Sequence, residues 1–364
     1  MADHIEAGLA QLREQVLAAN ADRRALRIRG SDTKAFYGDA LGAEAETLDC
    51  RGSRGIVDYE PTELVITARC GTPLKELEQT LAAKHQYLPF EPPHFGPDAT
   101  VGGTFAAGLS GPRRMSAGAL RDYVLGAVLL TASGEVLRFG GQVMKNVAGY
   151  DVSRLLAGSL GVLGVIAEVS LKVLPLPVAE RTLQFAFGEA EAISRCNQWG
   201  GEPLPISATR WCDGQLSVRL SGAAAGVDAA ARRIGGEPLA AEPAQAMWRS
   251  VCEHSDPFFS RGSVVWRLSL PAATPPLELA GEQLIEWGGA LRWFIPSLDH
   301  ASPQTLRDLV TRVGGSAILF RAGSRATVQR FHPLHPVLRQ IHQRLKQAFD
   351  PNGIMNPGRM YDWL

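Results

Sequence analysis

Pro97-Asp98-Ala99-Thr100-Val101-Gly102-Gly103-Thr104, continuing to Gly108-Leu109-Ser110-Gly111-Pro112, is the stretch that decides the fold of this chain. Glycine, alanine, serine and threonine dominate it, so there is little side-chain bulk to pack. Two structures suit such a run. One is a buried helix whose small residues let its neighbours come close. The other is a backbone laid against a flat or anionic ligand, which glycine permits because it has no Cβ. The run by itself does not separate the two.

Three further segments lie around it. Upstream, Arg29-Gly30-Ser31-Asp32-Thr33 follows a strand predicted over residues 25–29. Successive N–H groups in a turn of this type form a nest for a pyrophosphate, although a plain polar turn reads the same way. Downstream, Gly118-Ala119-Leu120-Arg121-Asp122-Tyr123 leads into a predicted hairpin, where Arg121 and Asp122 equally suit an exposed ion pair that contributes little. Finally, Gly158, Gly161 and Gly164 recur every third residue into a strand predicted over residues 164–174, which includes Val165 and Ile166. This last pattern is not a dinucleotide fingerprint. That motif runs strand, G-x-G-x-x-G, helix, whereas here the order is helix, glycines, strand. The chain also lacks G-x-x-x-x-G-K-[ST], which excludes a P-loop.

Periodicity fills in the rest. An amphipathic N-terminal helix carries Ile5, Leu9, Leu12 and Val16. Residues 63–69 read as a strand, and Thr72 as the N-cap of a helix with Pro73 at its first position and Leu74, Leu77 and Leu81 inward. Residues 123–131 and 135–139 form the hairpin around Ser133-Gly134, Asp151 caps a short helix, and residues 164–174 make a long strand. Leu174-Pro175-Leu176-Pro177 ends that strand, because neither proline can donate to a ladder, and marks a domain boundary. Beyond it, strand-like and helix-like pieces alternate, including a helix expected over 277–287 and a final helix over 337–349. The expected fold is α+β, divided into residues 1–178, 179–334 and a C-terminal helix and tail, 335–364.

Composition bounds the function. The 364 residues are 45% hydrophobic and carry 37 basic and 37 acidic side chains, so nucleic acid and anionic surfaces are poor partners. No run reaches the ~20 apolar residues of a membrane span, and the N-terminus lacks the basic start of a secretory signal. A cytoplasmic location is expected, with any approach to the inner membrane made through partner subunits. The five cysteines have long gaps and no C-x-x-C, which argues against a zinc knuckle or iron–sulfur cluster within the chain. No metal ligand is assigned; His332 and His335, spaced H-P-L-H before Pro336, read as turn or capping histidines.

The four segments in this order resemble the FAD-binding domain of the vanillyl-alcohol oxidase and p-cresol methylhydroxylase type of FAD-linked oxidase, over about residues 20–178. The resemblance implies two α+β subdomains with FAD between them and a smaller antiparallel sheet domain capping the flavin ring. It assigns the pyrophosphate to Arg29, Gly30, Ser31, Asp32 and Thr33. The flavin would run along Pro97, Asp98, Thr100, Val101, Gly102, Gly103, Gly108, Ser110 and Gly111. Gly118, Ala119, Arg121 and Asp122, together with Gly158, Gly161, Gly164, Val165 and Ile166, would complete the pocket. Residues 141–151 and the tail Phe349-Asp350-Pro351-Asn352-Gly353-Ile354-Met355-Asn356-Pro357-Gly358-Arg359 further resemble the FAD-binding E subunits of bacterial glycolate oxidases. That family implies Asn356 as a cofactor contact, and a second flavoprotein subunit and an iron–sulfur subunit as partners. Relatives with covalent FAD hold it through a histidine in the pyrophosphate loop; residues 29–33 contain none, so non-covalent FAD is expected.

Oxidising a small 2-hydroxy acid such as glycolate requires a cation for the carboxylate and a base for the hydroxyl proton. Arg210 and Arg321, and after them Arg267 and Arg292, lie on expected second-domain strands and are candidates for the cation. Nothing in the sequence singles out the base. Three other readings stay open: an electron-relay subunit without a substrate site, a fold that has lost its cofactor, and an oxidase of another alcohol.

Overall fold

The computed structural model describes residues 7–42, 44–141, 150–297, 302–323 and 328–364. Ile5 and most of the 141–151 run that supported the family resemblance lie outside those residues.

The N-terminal half holds two small sheets and a short antiparallel ladder between Gln86–Tyr87 and Leu174–Pro175. Strands β1 (Leu26–Arg29) and β2 (Glu46–Asp49) pair in parallel. Strands β3 (Ile56–Glu60), β4 (Val65–Arg69), β5 (Val124–Leu130), β6 (Val136–Gly140) and β7 (Val165–Lys172) form an antiparallel sheet in the order β3-β4-β7-β5-β6. Helix α1 (Ala7–Ala21) buries Leu9, Leu12, Val16 and Ala19. Helix α2 (Leu74–Ala82) buries Leu74, Leu77 and Leu81, the i, i+3, i+7 stripe. Its N-cap is Pro73, one residue later than expected. Thr72 is occupied elsewhere, because its Oγ1 accepts from Gly55 N–H at 2.9 Å. Short helices α3 (Val101–Ala107), α4 (Arg114–Ala117) and α5 (Val152–Leu156) carry the small-residue segments. The 97–111 run is thus in part a buried helix, as the first of its two readings had it.

After the prolines, the chain enters an eight-stranded antiparallel sheet. Its strands are β8 (Ala179–Ala186), β9 (Ile206–Cys212), β10 (Gln215–Gly222), β11 (Glu237–Leu239), β12 (Val264–Ser269), β13 (Gly281–Glu286), β14 (Leu291–Pro296) and β15 (Ser316–Ala322). The order across it is β11-β8-β10-β9-β13-β14-β12-β15. Helices α6 (Glu189–Gly200), α7 (Ala224–Ile234) and α9 (Pro303–Arg312) help cover one face; α8 (Ala241–Cys252) lies between α7 and β12 in the chain. The expected helix over 277–287 is instead β13, followed by a turn through Trp287-Gly288-Gly289 into β14. Both glycines have positive φ, at 65° and 107°, and two apolar runs on either side of a Gly-Gly turn are a hairpin pattern.

The other face of this sheet packs on the N-terminal half. Cys212, Val265, Leu284, Trp293, Ile295 and Phe320 share one buried cluster with Phe90, Phe105 and Leu120. Helix α10 (Pro336–Phe349) and the tail then return to β1.

Candidate functional site

The turn leaving β1 forms one wall of a cleft. The N–H groups of Ser31, Asp32 and Thr33 donate to no protein atom among the described residues, and Asp32 has φ 60°, so the turn presents a concave row of donors. Ser31 Oγ donates to the Asp98 carbonyl, tying this turn to the second segment, while Asp32 holds Arg27 at 2.8 Å and Arg29 at 3.4 Å. The opposite wall is α3. Thr100 caps it by accepting from Gly103 N–H at 3.1 Å, and Val101 is buried beneath. The loop through Leu160, Gly161 and Gly164 closes the cleft with Ile166.

Glycine is required where these walls meet. A Cβ on Gly30 would lie 2.4 Å from Thr100 Oγ1, one on Gly102 2.6 Å from Cys70 Cβ, and one on Gly108 2.8 Å from Gly158 Cα. Gly161 faces Asn356. Asn356 itself is buried, and both ends of its amide are engaged: Oδ1 accepts from Ile28 N–H at 2.8 Å and Nδ2 donates to the Leu160 carbonyl at 2.7 Å. It therefore sets the spacing of the walls. Lys346 and Asp350 hold the tail in place behind it, Lys346 Nζ donating to the carbonyls of Val162 and Met355, and Asp350 accepting from Ile354 and Met355 N–H.

Ser110, Gly111 and residues 118–122 lie farther along. Ser110 Oγ accepts from Leu120 N–H at 3.0 Å, and Asp122 accepts from Ala119 N–H at 2.9 Å beyond the positive-φ Gly118. Arg121 is exposed. Pro97 lines a different, wide cavity of about 940 Å³ between α2 and α8. Of the expected cofactor residues, the structure gathers Arg29 to Thr33, Thr100, Gly102, Gly103, Gly161, Gly164, Ile166 and Asn356 around one cleft.

Where Ser110, Gly111 and Pro112 meet the second sheet, a small cavity is lined by Arg267, Glu286, His254 and Trp293. The four candidate arginines separate here. Arg210 is committed to Asp256, at 2.8 Å, and Arg292 to Glu189 and the carbonyls of Thr274 and Pro275. Arg267 forms no ion pair among the described residues, and its side chain makes one hydrogen bond, 3.3 Å to Ser269 Oγ. Arg321 likewise has no carboxylate partner among them and lies over the rings of Phe36 and Phe259. A bulge opposite Val265 and Trp266 leaves Phe320 unpaired and turns Arg321 toward the interface. A third arginine without a carboxylate partner, Arg114 of α4, shares the faces of Trp287 with Arg267, at 4.7 and 5.3 Å from the ring centre. Burial and the neighbouring Arg267 and Arg121 push Arg114 down to about 10, and burial pushes Glu286 up to about 7. In the 940 Å³ cavity, by contrast, Arg219 is satisfied by Glu91, which also pairs with Arg113.

Residues 8–140 match the FAD binding domain family, and residues 334–360 match the C-terminal domain of FAD linked oxidases. Glycolate oxidase subunit GlcE of Escherichia coli is 48% identical over 96% of both chains. The chain belongs to the GlcE family of glycolate oxidase subunits. Glycolate oxidase subunit GlcD of Bacillus subtilis is 29% identical over 46% of this chain and 35% of its own length. A D-lactate dehydrogenase of Archaeoglobus fulgidus is 36% identical over 38% of this chain and 31% of its own. The fold is that of alkyldihydroxyacetonephosphate synthase, with a TM-score of 0.67, 16% identity, and coverage of 96% of this chain and 74% of that one.

This GlcE-family chain is therefore an FAD-dependent oxidoreductase subunit of a multi-subunit assembly, and its cleft fits the cofactor. Three buried polar atoms without a hydrogen-bond partner among the described residues, Arg29 Nε, Thr104 Oγ1 and Ser159 Oγ, belong to the segments that build the cleft. Arg114, Glu286 and His254 escaped the sequence reading. Glu286 was hidden by the helix expected there, and the Gly-Gly hairpin pattern would have exposed it. His254 and Arg114 carry no motif. His335 caps α10 through its own Nδ1, and His332 Nδ1 accepts from Ala317 N–H.

Proposed function

We propose that this chain oxidises glycolate, or a similarly small 2-hydroxy acid, to the 2-oxo acid and passes the electrons on to partner subunits. The observation that carries this reading is that Arg267 lines a cavity beside the Ser110–Pro112 segment without an ion-pair partner among the described residues, with Arg114 sharing the ring of Trp287 and Arg321 lying over Phe259 near His254. Half-buried guanidinium groups retain their charge and call for an anion. A substrate carboxylate supplies it, with Arg267 as the principal contact and Arg321 beside it. Bound FAD supplies the two-electron acceptor. The protein places the substrate carbon against it and excludes water with the Trp293, Phe320 and Phe259 walls.

The cofactor residues are proposed to be those named above, in a domain spanning residues 1–178, with 179–334 as the cap and 335–364 as the latch. FAD is held non-covalently. His94, the nearest histidine before the second segment, is engaged with Glu78 at 3.0 Å and lines the wide cavity instead. The partners are a second flavoprotein subunit and an iron–sulfur subunit. All five cysteines are free, and no group of three metal-ligating side chains exists among the described residues, which supports an electron acceptor in another chain. No helix among the described residues is long and apolar enough to cross a membrane, so contact with one is assigned to the partners.

The test is an anaerobic absorption spectrum before and after glycolate. Flavin bands that bleach support the reading. Bands that persist even with partner subunits added would make the chain a relay instead.

A further inference from the structure

His254 is used by neither the cofactor cleft nor the arginine cluster, yet it lines the same small cavity as Arg267, Ser110 and Gly111. It sits just beyond the C-cap of α8 with φ 52°, the left-handed conformation in which helices commonly end. Its ring stacks on Phe259 with centroids 4.1 Å apart and planes 7° apart, and Trp293 meets it edge-on at 4.4 Å. Phe320 and Phe95 close the box at 5.0 and 5.1 Å. The imidazole plane is thereby fixed. Its Nδ1 is buried and has no hydrogen-bond partner among the described residues.

Arg267 from β12 and Glu286 from β13 line the cavity with this ring, and Arg321 from β15 acts on it with Arg267. Tyr37 and Lys34, from the turn after β1, reach its aromatic walls at Phe320 and Phe95. Adjacent Glu253 is turned away, accepting from the N–H groups of His94 and Phe95. Burial, then Arg321 and Arg267, hold His254 well below the ordinary histidine range, so the ring is neutral. A neutral imidazole with an unmet nitrogen, near two guanidinium groups that form no ion pair among the described residues and beside a Glu286 whose burial favours its neutral form, suits a molecule that brings a negative charge and has a proton to give.

We propose that His254 is the catalytic base, accepting the hydroxyl proton of a 2-hydroxy acid whose carboxylate lies between Arg267 and Arg321. The proposal rests on the oxidase reading above. In the step, the O–H bond breaks and its proton passes to the imidazole. The Cα–H bond breaks and its hydrogen leaves with the electron pair to oxidised FAD. The oxygen keeps the electrons of its former O–H bond and forms the C=O bond of the 2-oxo acid. The products are the 2-oxo acid, reduced flavin and an imidazolium. The bound carboxylate also offsets the two arginines, so the imidazole's proton affinity rises when substrate arrives.

The test uses the full-length FAD-loaded chain, with partner subunits added back where needed. In wild-type protein labelled with ¹⁵N-histidine, oxalate is titrated as a non-oxidisable carboxylate. The His254 resonance is expected to report a neutral ring at pH 7 and a pKa that rises by at least one unit with oxalate; in R267M that rise disappears. H254Q is expected to keep its FAD and bind oxalate within about threefold of wild type. Its flavin reduction by glycolate is expected to slow about 100-fold or more, with loss of the acid limb of the pH profile. Equal reduction rates in H254Q and wild type, loss of rate in E286Q but not H254Q, or an imidazole indifferent to oxalate would each overturn the assignment. If H254Q does not fold, the wild-type titration still decides. Wild-type flavin that binds oxalate but is never bleached by glycolate would instead sink the oxidase reading itself.

Discussion

The cofactor cleft and the arginine cavity lie at opposite ends of the same set of small-residue segments, and they are built in different ways. In the cleft, backbone meets backbone or a short side chain. Gly30 abuts the Thr100 side chain, Gly108 abuts the Gly158 backbone, and one amide, Asn356, spaces the walls. In and around the cavity, long side chains come from four strands or helices, and the arginines Arg114, Arg267 and Arg321 form no ion pair among the described residues. The first site is shaped to admit a large group closely. The second is charged to hold a small anion. Each should therefore fail separately when its own element is changed.

Removing the charge of Arg267 as R267M should show this most sharply. We expect kcat/KM for glycolate to fall about 10²- to 10³-fold, the range for truncating one member of a desolvated charge pair. The ratio of flavin to protein absorbance should not change. Loss of both together would mean that the two sites are one.

N356A should have the complementary effect. It leaves Ile28 N–H and the Leu160 carbonyl without partners, at about 1–3 kcal/mol for each buried group. FAD affinity, measured by titrating apoprotein, should fall roughly 10- to 100-fold, while turnover at saturating FAD stays near wild type. G102V should act in the same direction but less, since its Cβ would press on Cys70 at an overpacking cost of about 1–3 kcal/mol. A variant that binds FAD normally but loses turnover would break the comparison.

The difference also explains what could be read from the sequence. Close backbone approach leaves a local trace, because only glycine suits Gly30, Gly102 and Gly161, and the tail motif around Asn356 is contiguous. The cleft was legible for that reason. The cavity has no such trace. Arg210 and Arg267 sit on similar strands, yet one is ion-paired with Asp256 and the other forms no ion pair among the described residues, and only tertiary structure sets that apart. Arg321 points inward because of a bulge opposite Val265 and Trp266, which depends on the partner strand. His254 depends on an aromatic box drawn from four separate segments. The 277–287 error was local: a Gly-Gly turn between alternating strands was read through as helix.

The smallest expected effect concerns whether Arg267 is available to an anion or is already neutralised by Glu286. Burial raises Glu286 from the ordinary carboxyl range to about 7, which the Trp293 hydrogen bond and the charges of Arg210 and Arg267 only partly offset. A raised folded-state value means that the folded protein holds this proton where the unfolded chain has lost it. Its contribution to stability is full below the unfolded carboxyl range and is lost as pH rises through about 7. Thermal melts of wild type and E286Q should therefore diverge with pH. The Tm of wild type relative to E286Q should fall by a few degrees between pH 5 and pH 8, because glutamine does not titrate. A difference that stays flat, or grows in favour of wild type, would mean that ionised Glu286 is stabilised by Arg267. The cavity would then be an ion pair like that of Arg210 and Asp256, and not a place kept for a substrate carboxylate.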